Sequence, residues 1–286
     1  MYHSNKYKTT TLKILVIFIF CTINTPSKAQ IKLTQDTIEC HNIGFGVGTI
    51  APWGKFSYAK QSDGTQNQIG TMNDLYENQW LDFSINCIYK FKTNLIVTLD
   101  GDLWFGNDNL THYKERMSDI FTEEGTLIGF NGTDPEVTNY NRALALRIGI
   151  GKIFKIIPNN PNSGILTKMN LGFMEQQTIF TPGARGVGAP MLTGDYAYLY
   201  DHQRNGLILS EGIGWWFMSN RDNLINFYIS FEVSQCFTQS TRDYIIDNVI
   251  GLRGPDHAKY FDMLYSIKFC WLFPLKGKTT YDYYFY

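Results

Sequence analysis

Long stretches in which apolar and polar residues alternate one by one constrain this chain more than any other feature. In one stretch, Leu81, Phe83 and Ile85 share one face, while Asp82 and Ser84 share the other. Because successive side chains of a β-strand point to opposite faces, this pattern predicts strands with one apolar and one polar face. Eight stretches carry the pattern: residues 42–50, 79–91, 94–105, 141–154, 164–176, 205–218, 223–237 and 259–273.

The lengths of these strands and of their connections favour a membrane barrel. Most of the strands reach the ~9–11 residues of a tilted membrane-spanning strand, whereas strands of soluble proteins are mostly shorter, near ~5–6 residues. Short and long connections alternate strictly, as in outer-membrane barrels with short periplasmic turns and long outer loops. The short connections are 92–93, 155–163 and 219–222, and the long ones are 51–78, 106–140, 177–204 and 238–258.

A soluble sandwich or lipocalin-like barrel would show the same alternation with its apolar face turned inward. The residue types favour the opposite arrangement. The polar faces are rich in Gly, Ser, Thr and Asn, which suit a narrow bore, and the apolar faces are dominated by Leu, Ile and Phe. The sequence therefore predicts an all-β fold, an eight-stranded antiparallel transmembrane up-and-down β-barrel.

The N-terminus has the layout of a secretory signal. Lys6, Lys8 and Lys13 give a basic start, and an apolar run of about ten residues is too short for the ~20 residues of a spanning helix. Small residues up to Ala29 indicate cleavage there, while a lipoprotein signal at Cys21 is disfavoured by the bulky residue before it. The predicted organisation is a signal peptide (1–29), a periplasmic N-terminal segment (30–41), the outer-membrane barrel (42–273) and a Tyr-rich periplasmic tail (274–286).

Charge and cysteine usage limit the chemistry that is expected. Without the four lysines of the signal, 21 basic and 26 acidic side chains remain, and this net charge of −5 argues against a nucleic-acid partner. The mature cysteines match no zinc or redox spacing and are predicted to be apolar fillers, although export permits disulfides. No cofactor or metal motif is present, so none is expected. The mature cysteines are Cys40, Cys87, Cys236 and Cys270.

The last predicted strand, 259–273, ends in the aromatic-rich segment 265–273, which completes a resemblance to a known group. With the signal, the eight strands and the loop order, the chain resembles small outer-membrane barrels of the OmpA, OmpX and PorT-like kind. The resemblance implies the fold, contact with outer-membrane lipid and periplasmic termini, but no activity. The chain departs from that pattern after Phe273, where such barrels commonly end. Phe285 and Tyr286 offer a second aromatic terminus.

The polar faces place nine charged residues in the bore, five acids and four bases. An eight-stranded barrel is narrow enough to be filled by its own side chains, so these charges must pair or stay hydrated. The pattern predicts a salt-bridged lumen that closes the bore, and the alternative is a narrow pore or proton path. The predicted lumen residues are Asp82, Lys90, Asp100, Asp102, Arg147, Lys168, Glu232, Asp262 and Lys268.

Glu211 does not fit this scheme, because it shares a face with Leu209 and Ile213. A carboxylate facing lipid at mid-depth would be costly. We expect a bulge near Gly212 and Gly214 to turn it inward, since glycines inside strands often mark bulges. The alternative is that Glu211 meets a partner.

Two regions are predicted to carry interactions. The long outer loops hold roughly one hundred residues, more than hairpin closure requires. The tail is dense in aromatic residues, which are enriched at protein interfaces, although it could instead fold back on the barrel rim. The predicted partner-binding residues of the tail are Tyr281, Tyr283, Tyr284, Phe285 and Tyr286.

These features predict a non-enzymatic barrel that serves as a scaffold or accessory subunit of a larger envelope complex, such as secretion or protein-assembly machinery. Two alternatives remain. One is a lipid- or peptide-modifying enzyme at the barrel rim, with His202 beside Asp201 or His257 beside Asp256 as part of its site. The other is a narrow channel. Histidines exposed in loops without a catalytic role are the simpler expectation.

Overall fold

A computed structural model describes most of the region that was predicted to form the barrel. The described residues are 37–53, 79–106, 117–127, 129, 132, 135, 137–158, 160–182, 189–219, 225–247, 252–254 and 259–275. The predicted signal peptide, the tail from residue 276 onward, and His257 lie outside the described residues. No helix within the described ranges has the length and hydropathy that crossing a membrane requires.

Eight long strands form one closed antiparallel barrel. Each strand pairs with its neighbour in the chain, and the last strand pairs with the first, so the ring has no free edge. This confirms the predicted eight-stranded fold. The strands are β1 (Cys40–Trp53), β2 (Trp80–Lys90), β3 (Leu95–Gly106), β4 (Val137–Lys155), β5 (Gly164–Pro182), β6 (His202–Met218), β7 (Asn226–Ser240) and β10 (Lys259–Pro274). Two short strands, β8 (Ile245–Asp247) and β9 (Leu252–Gly254), form a separate hairpin outside the barrel.

The two ends of the barrel differ. The first strand begins and the last strand ends at the same end, where Asn42 pairs with Pro274. The short connections lie at this end, which we call the terminal end. The long connections lie at the opposite end, which we call the loop end. This placement follows from an even number of up-and-down strands.

The two faces of each strand are oriented opposite to those of a soluble barrel, because the apolar face points outward and the other face points into the bore. On β4, Leu146 and Ile148 are 59% and 62% exposed, whereas Arg147 between them is 2% exposed. The other strands repeat this alternation, with large apolar side chains outward and buried inward positions that hold polar residues as well as some large apolar ones. The alternative of a soluble barrel with an apolar interior face is therefore excluded for this fold.

Aromatic side chains line both rims of the apolar outer band. At the loop end, Phe237 and Phe261 pack with ring centroids 5.1 Å apart. At the terminal end, Trp271 stacks on Phe273 at 5.7 Å. Amphipathic and aromatic rings at both edges of an apolar band are typical of proteins whose walls cross a bilayer.

Five strands extend three or more residues further toward the loop end than the sequence predicts, and two of them, β1 and β7, continue to Trp53 and Ser240. The β4–β5 pair continues up to Val137 and Pro182, and β6 begins at His202. The predicted connections 106–140 and 177–204 are correspondingly shorter. Above them lies a folded cap that contains 3-10 helices (Ser118–Ile120, Pro190–Leu192 and Gly194–Leu199) and a small hairpin of β8 (Ile245–Asp247) with β9 (Leu252–Gly254).

The cap has a small apolar core of its own. Phe180 from the end of β5 is 2% exposed and packs among buried residues of the loops. An exposed ion pair between Arg253 and Asp119 (3.0 Å) joins the hairpin to the first helix of the cap. The buried residues of the cap are Met117, Leu127, Val137, Phe180, Ala189, Leu192 and Tyr200.

Candidate functional site

The bore is divided into three layers, one charged and two apolar. Three tryptophans occupy inward positions, and their size closes the bore above and below a charged middle. The terminal apolar layer contains Ile38, Cys40, Ile88, Ile96, Ile153, Leu166, Trp216, Met218, Tyr228, Cys270 and Leu272. The upper apolar layer contains Ile50, Trp80, Trp104, Ala143, Ala145, Met174, Ile208, Cys236 and Leu264.

Arg147 stands at the centre of the charged layer between them. Its Nε and Nη2 donate to Oδ2 of Asp102 at 2.9 and 2.6 Å. Its Nη1 donates to the Ser210 hydroxyl at 2.8 Å and to Glu232 Oε2 at 3.3 Å. A planar guanidinium that carries five donors suits this position, because it can satisfy several buried acceptors at once.

Two lysines complete the layer. Lys168 lies 2.7 Å from Glu232 and 3.5 Å from Asp100. Lys268 lies 2.9 Å from Asp82 and also donates to Asp102. Because all of these groups are nearly completely buried, each charge needs its partners to offset the loss of hydration.

Neutral groups fill the remaining positions of the charged layer. The Asn170 amide donates to Asp100 at 3.0 Å, and the Ser230 hydroxyl donates to Glu232 at 2.9 Å. Gly149 faces this region, and a Cβ there would collide with the Asn170 side chain. The small residues on the inward faces thus provide the space that the long charged side chains occupy.

Seven of the nine predicted lumen residues meet in this layer, and two do not. Asp262 lies toward the loop end, 3.7 Å from Arg204, whose guanidinium stacks on the ring of Tyr260. Lys90 lies at the terminal end, where it donates to the Ile38 carbonyl (2.8 Å) and to Asn162 Oδ1 (2.9 Å).

Arg204 was missed because its segment was predicted to be a loop. Its signal was nevertheless present in the sequence. Arg204, Ile208 and Ser210 occupy positions of one parity on β6, and all three are buried. Extending the inward face of that strand toward its N-terminus would have placed Arg204 in the bore.

The rim histidine is not an exposed loop residue, so that expectation is wrong for His202. It begins β6 and is 7% exposed. Beside it, Asp201 accepts a hydrogen bond from the Phe180 amide (3.2 Å) and lies 3.9 Å from Arg242. Burial raises the pKa of Asp201 above its usual value, although the amide and the guanidinium act in the opposite direction. These contacts tie Asp201 to the packing of the cap.

The other groups with possible chemistry also have structural surroundings. Cys40, Cys236 and Cys270 are buried in the apolar layers, and Cys87 is partly exposed on the outer wall. Among the described residues, no group of three or more His, Cys, Asp or Glu side chains is arranged to hold a metal ion.

Glu211 faces outward, so the expected bulge is wrong. The pairing of β6 with both neighbours is uninterrupted, and Glu211 lies opposite Met169 on β5 and Val233 on β7. Its side chain is exposed on the outer wall, beside an open groove of about 610 Å³. Gly212 and Gly214 occupy regular inward positions, and the direction of the strand does not change there.

A closed barrel with an apolar exterior and a charged, buried bore is a transmembrane β-barrel of the type found in bacterial outer membranes. No family model matches this chain, and no curated protein matches it either.

Two solved structures of Ail, the attachment invasion locus protein of Yersinia pestis, are similar to the chain. One, in complex with the heparin analogue sucrose octasulfate, has 9% identity and a TM-score of 0.36. The second has 11% identity and a TM-score of 0.31. Each comparison covers 82% of this chain and 97% of Ail. At these identities the similarity concerns the fold alone.

Proposed function

We propose that this protein is a non-enzymatic integral outer-membrane barrel that serves as an accessory or scaffold subunit of a larger envelope complex. The observation that carries the proposal is the filled bore. Trp80 and Trp216 close the upper and terminal layers and are at most 1% exposed, and the charges between the layers pair with one another. A barrel filled in this way acts through its surfaces, which are its cap, its outer wall and its tail.

The proposed orientation places the terminal end in the periplasm and the cap outside the cell. Short turns on the periplasmic side and longer outer loops are the usual arrangement of such barrels. The N-terminal signal predicted for residues 1–29 supports export to this location.

Exposed aromatic residues support an interaction role for the cap. Tyr196 and Tyr198 are 66% and 53% exposed on one 3-10 helix, and Tyr244 is exposed beside the hairpin. Tyrosines are enriched at protein interfaces because they bury a large area with few rotatable bonds. We propose the aromatic tail, residues 281–286, as a second partner-binding segment on the periplasmic side.

Purification of the full-length protein from its native membranes in a mild detergent tests this proposal. We expect another envelope protein to co-elute in constant ratio, and deletion of residues 276–286 to lower its recovery. Tyr140→Ser provides the control, since it removes an exposed aromatic side chain from β4, which has no proposed role in binding a partner. Elution of the wild-type barrel alone would contradict the subunit role, while unchanged recovery after the deletion would contradict tail docking.

A further inference from the structure

The outer wall carries one charge where only apolar residues are expected. Among the described residues of the long strands, the other outward-facing charges lie closer to the loop end or the terminal end than Glu211, which lies between Leu209 and Ile213. These other outward-facing charges are Arg142, Lys152, Lys155, Glu175 and Lys259.

Glu211 also lies deep in the wall. Its chain neighbour Ser210 accepts a hydrogen bond from Arg147, and Gly212 pairs with Glu232, so Glu211 is at the depth of the charged layer. Leu209 and Leu207 follow it outward toward the loop end, where Phe237 of β7 lies opposite Leu207. Toward the terminal end, Ile213 is followed by Trp215 and Phe217. An ionised carboxylate that faces acyl chains at this depth is costly and is expected to have a partner.

The surface around Glu211 is concave. The groove of about 610 Å³ spreads over β3 to β7, and most of its wall is apolar. Two lysines also line it, but Lys168 pairs with Glu232 in the bore and Lys152 donates to the Thr93 carbonyl. Residues that line it next to Glu211 are Ile150, Thr167, Met169, Ile213, Phe231 and Val233. Such a groove can accept side chains of a protein segment that lies against the barrel.

A second copy of this chain does not supply a suitable partner. Two copies inserted in the same orientation are related by an axis along the membrane normal, so each residue faces the other copy at its own depth. The outward-facing cations of the described strands lie closer to the two ends of the barrel than Glu211, and Lys152 and Arg142 already donate to the Thr93 carbonyl (2.6 Å) and to Gln177 (3.1 Å). A second copy therefore presents apolar residues to Glu211.

We propose that the Glu211 groove binds a membrane-embedded segment of a different envelope protein, which presents a Lys or Arg to the carboxylate. A cation is the group that offsets a carboxylate in a medium of low dielectric constant. This inference rests on the proposed role as a subunit of an envelope complex, and it names the surface and the chemistry of the partner.

Site-specific photo-crosslinking in intact cells tests the groove. A benzophenone side chain is placed at Ile213 in the groove or, as the matched control, at Ile85, an equally outward position on β2 across the barrel. We expect an adduct with another membrane protein from position 213 only. The crosslinked peptide should come from a membrane-embedded segment that contains a Lys or Arg.

Variants at Glu211 test the charge. Replacing one member of a desolvated charge pair lowers affinity roughly 30-fold or more, so Glu211→Leu and Glu211→Lys should remove most of the adduct. A Glu in place of the partner's cation should restore the adduct of Glu211→Lys. Unchanged heat-modifiable mobility on gels will show that the variant barrels are folded, as expected for Leu at a lipid-facing position.

Several results would overturn the inference. They are an adduct that persists in Glu211→Leu, an adduct with a second copy of the chain, no adduct from position 213, or no rescue by charge reversal. If a partner still co-purifies with Glu211→Leu, the subunit role stands and only this surface is wrong. If nothing co-purifies with the wild type, the proposed function itself fails.

Discussion

At the scale of single residues, the side chains packed in the bore stabilise the fold, as an apolar core does in a soluble protein. Arg147 of β4 contacts Asp102, Glu232 and Ser210, so its guanidinium joins its own strand to three others. Hydrogen-bonded ion pairs recover the hydration energy that burial removes, but only while each partner is present. The removal of one partner leaves the others charged and buried.

Arg147→Met is therefore expected to lower the free energy of unfolding by about 3–5 kcal/mol. The matched control is Arg142→Met on the same strand, where the exposed guanidinium donates to Gln177 and its loss should cost under about 1 kcal/mol. Urea titration of both variants in phospholipid vesicles, followed by tryptophan fluorescence, measures the difference. Equal losses in the two variants would show that the buried pairs do not stabilise the barrel.

At the scale of strands, the sequence predicts best where the wall touches lipid. The bounds of β2 and β3 were predicted to within about a residue, because lipid requires apolar side chains on every second position. Beyond the apolar band, β4, β5 and β6 continue to pair, but their outward residues are polar. Arg142 hydrogen-bonds to Gln177 there, and Gln203 to Glu175, so the alternation ends before the strands do.

The members of the charged layer were likewise predictable, but their pairing was not. Alternation along one strand tells which residues face inward. Contacts such as Arg147 with Asp102, or Lys268 with Asp82, depend on the register between strands that are far apart in the sequence. Alternation also places Trp80 and Trp104 on the inward faces, but it does not show how such large rings fill the space across the bore.

The cap is an element whose stability should depend on pH. Burial raises the pKa of Asp201, so its ionisation is less favourable in the folded cap than in an opened one. This contribution is present at acidic pH and is lost as the pH rises through the raised pKa. Amide hydrogen exchange at Phe180, corrected for intrinsic rates, should show weaker protection above that pKa.

Asp201→Asn serves as the control for the cap, because an amide oxygen can still accept the Phe180 hydrogen bond without carrying a charge. Its protection profile should be flat over the same pH range. A wild-type profile equally flat, or protection that increases with pH, would contradict the prediction.

At the scale of the whole molecule, three layers of packed side chains fill the ring of strands, and the cap packs around a separate apolar core at the loop end. Trp216 stacks on Tyr228 at 5.9 Å in the terminal layer, and the Lys168 ammonium lies 5.2 Å from the same tyrosine ring. The charged layer is thus in direct contact with the apolar layer that seals it. Lipid outside and packed side chains inside then stabilise the same closed shape.

The filled bore predicts that the protein does not conduct ions. In planar bilayers the wild type should give no stepwise currents, since a narrow eight-stranded barrel packed with large side chains holds no continuous water path. Arg147→Met should remain silent too, because it disturbs the charged layer while Trp80 and Trp216 still close the bore above and below. Folded protein recovered from the same bilayers, identified by its mobility on gels without heating, shows that insertion took place. Regular current steps from the wild type would mean that the apolar layers separate in the membrane. A channel function would then replace the proposal that the barrel acts through its surfaces.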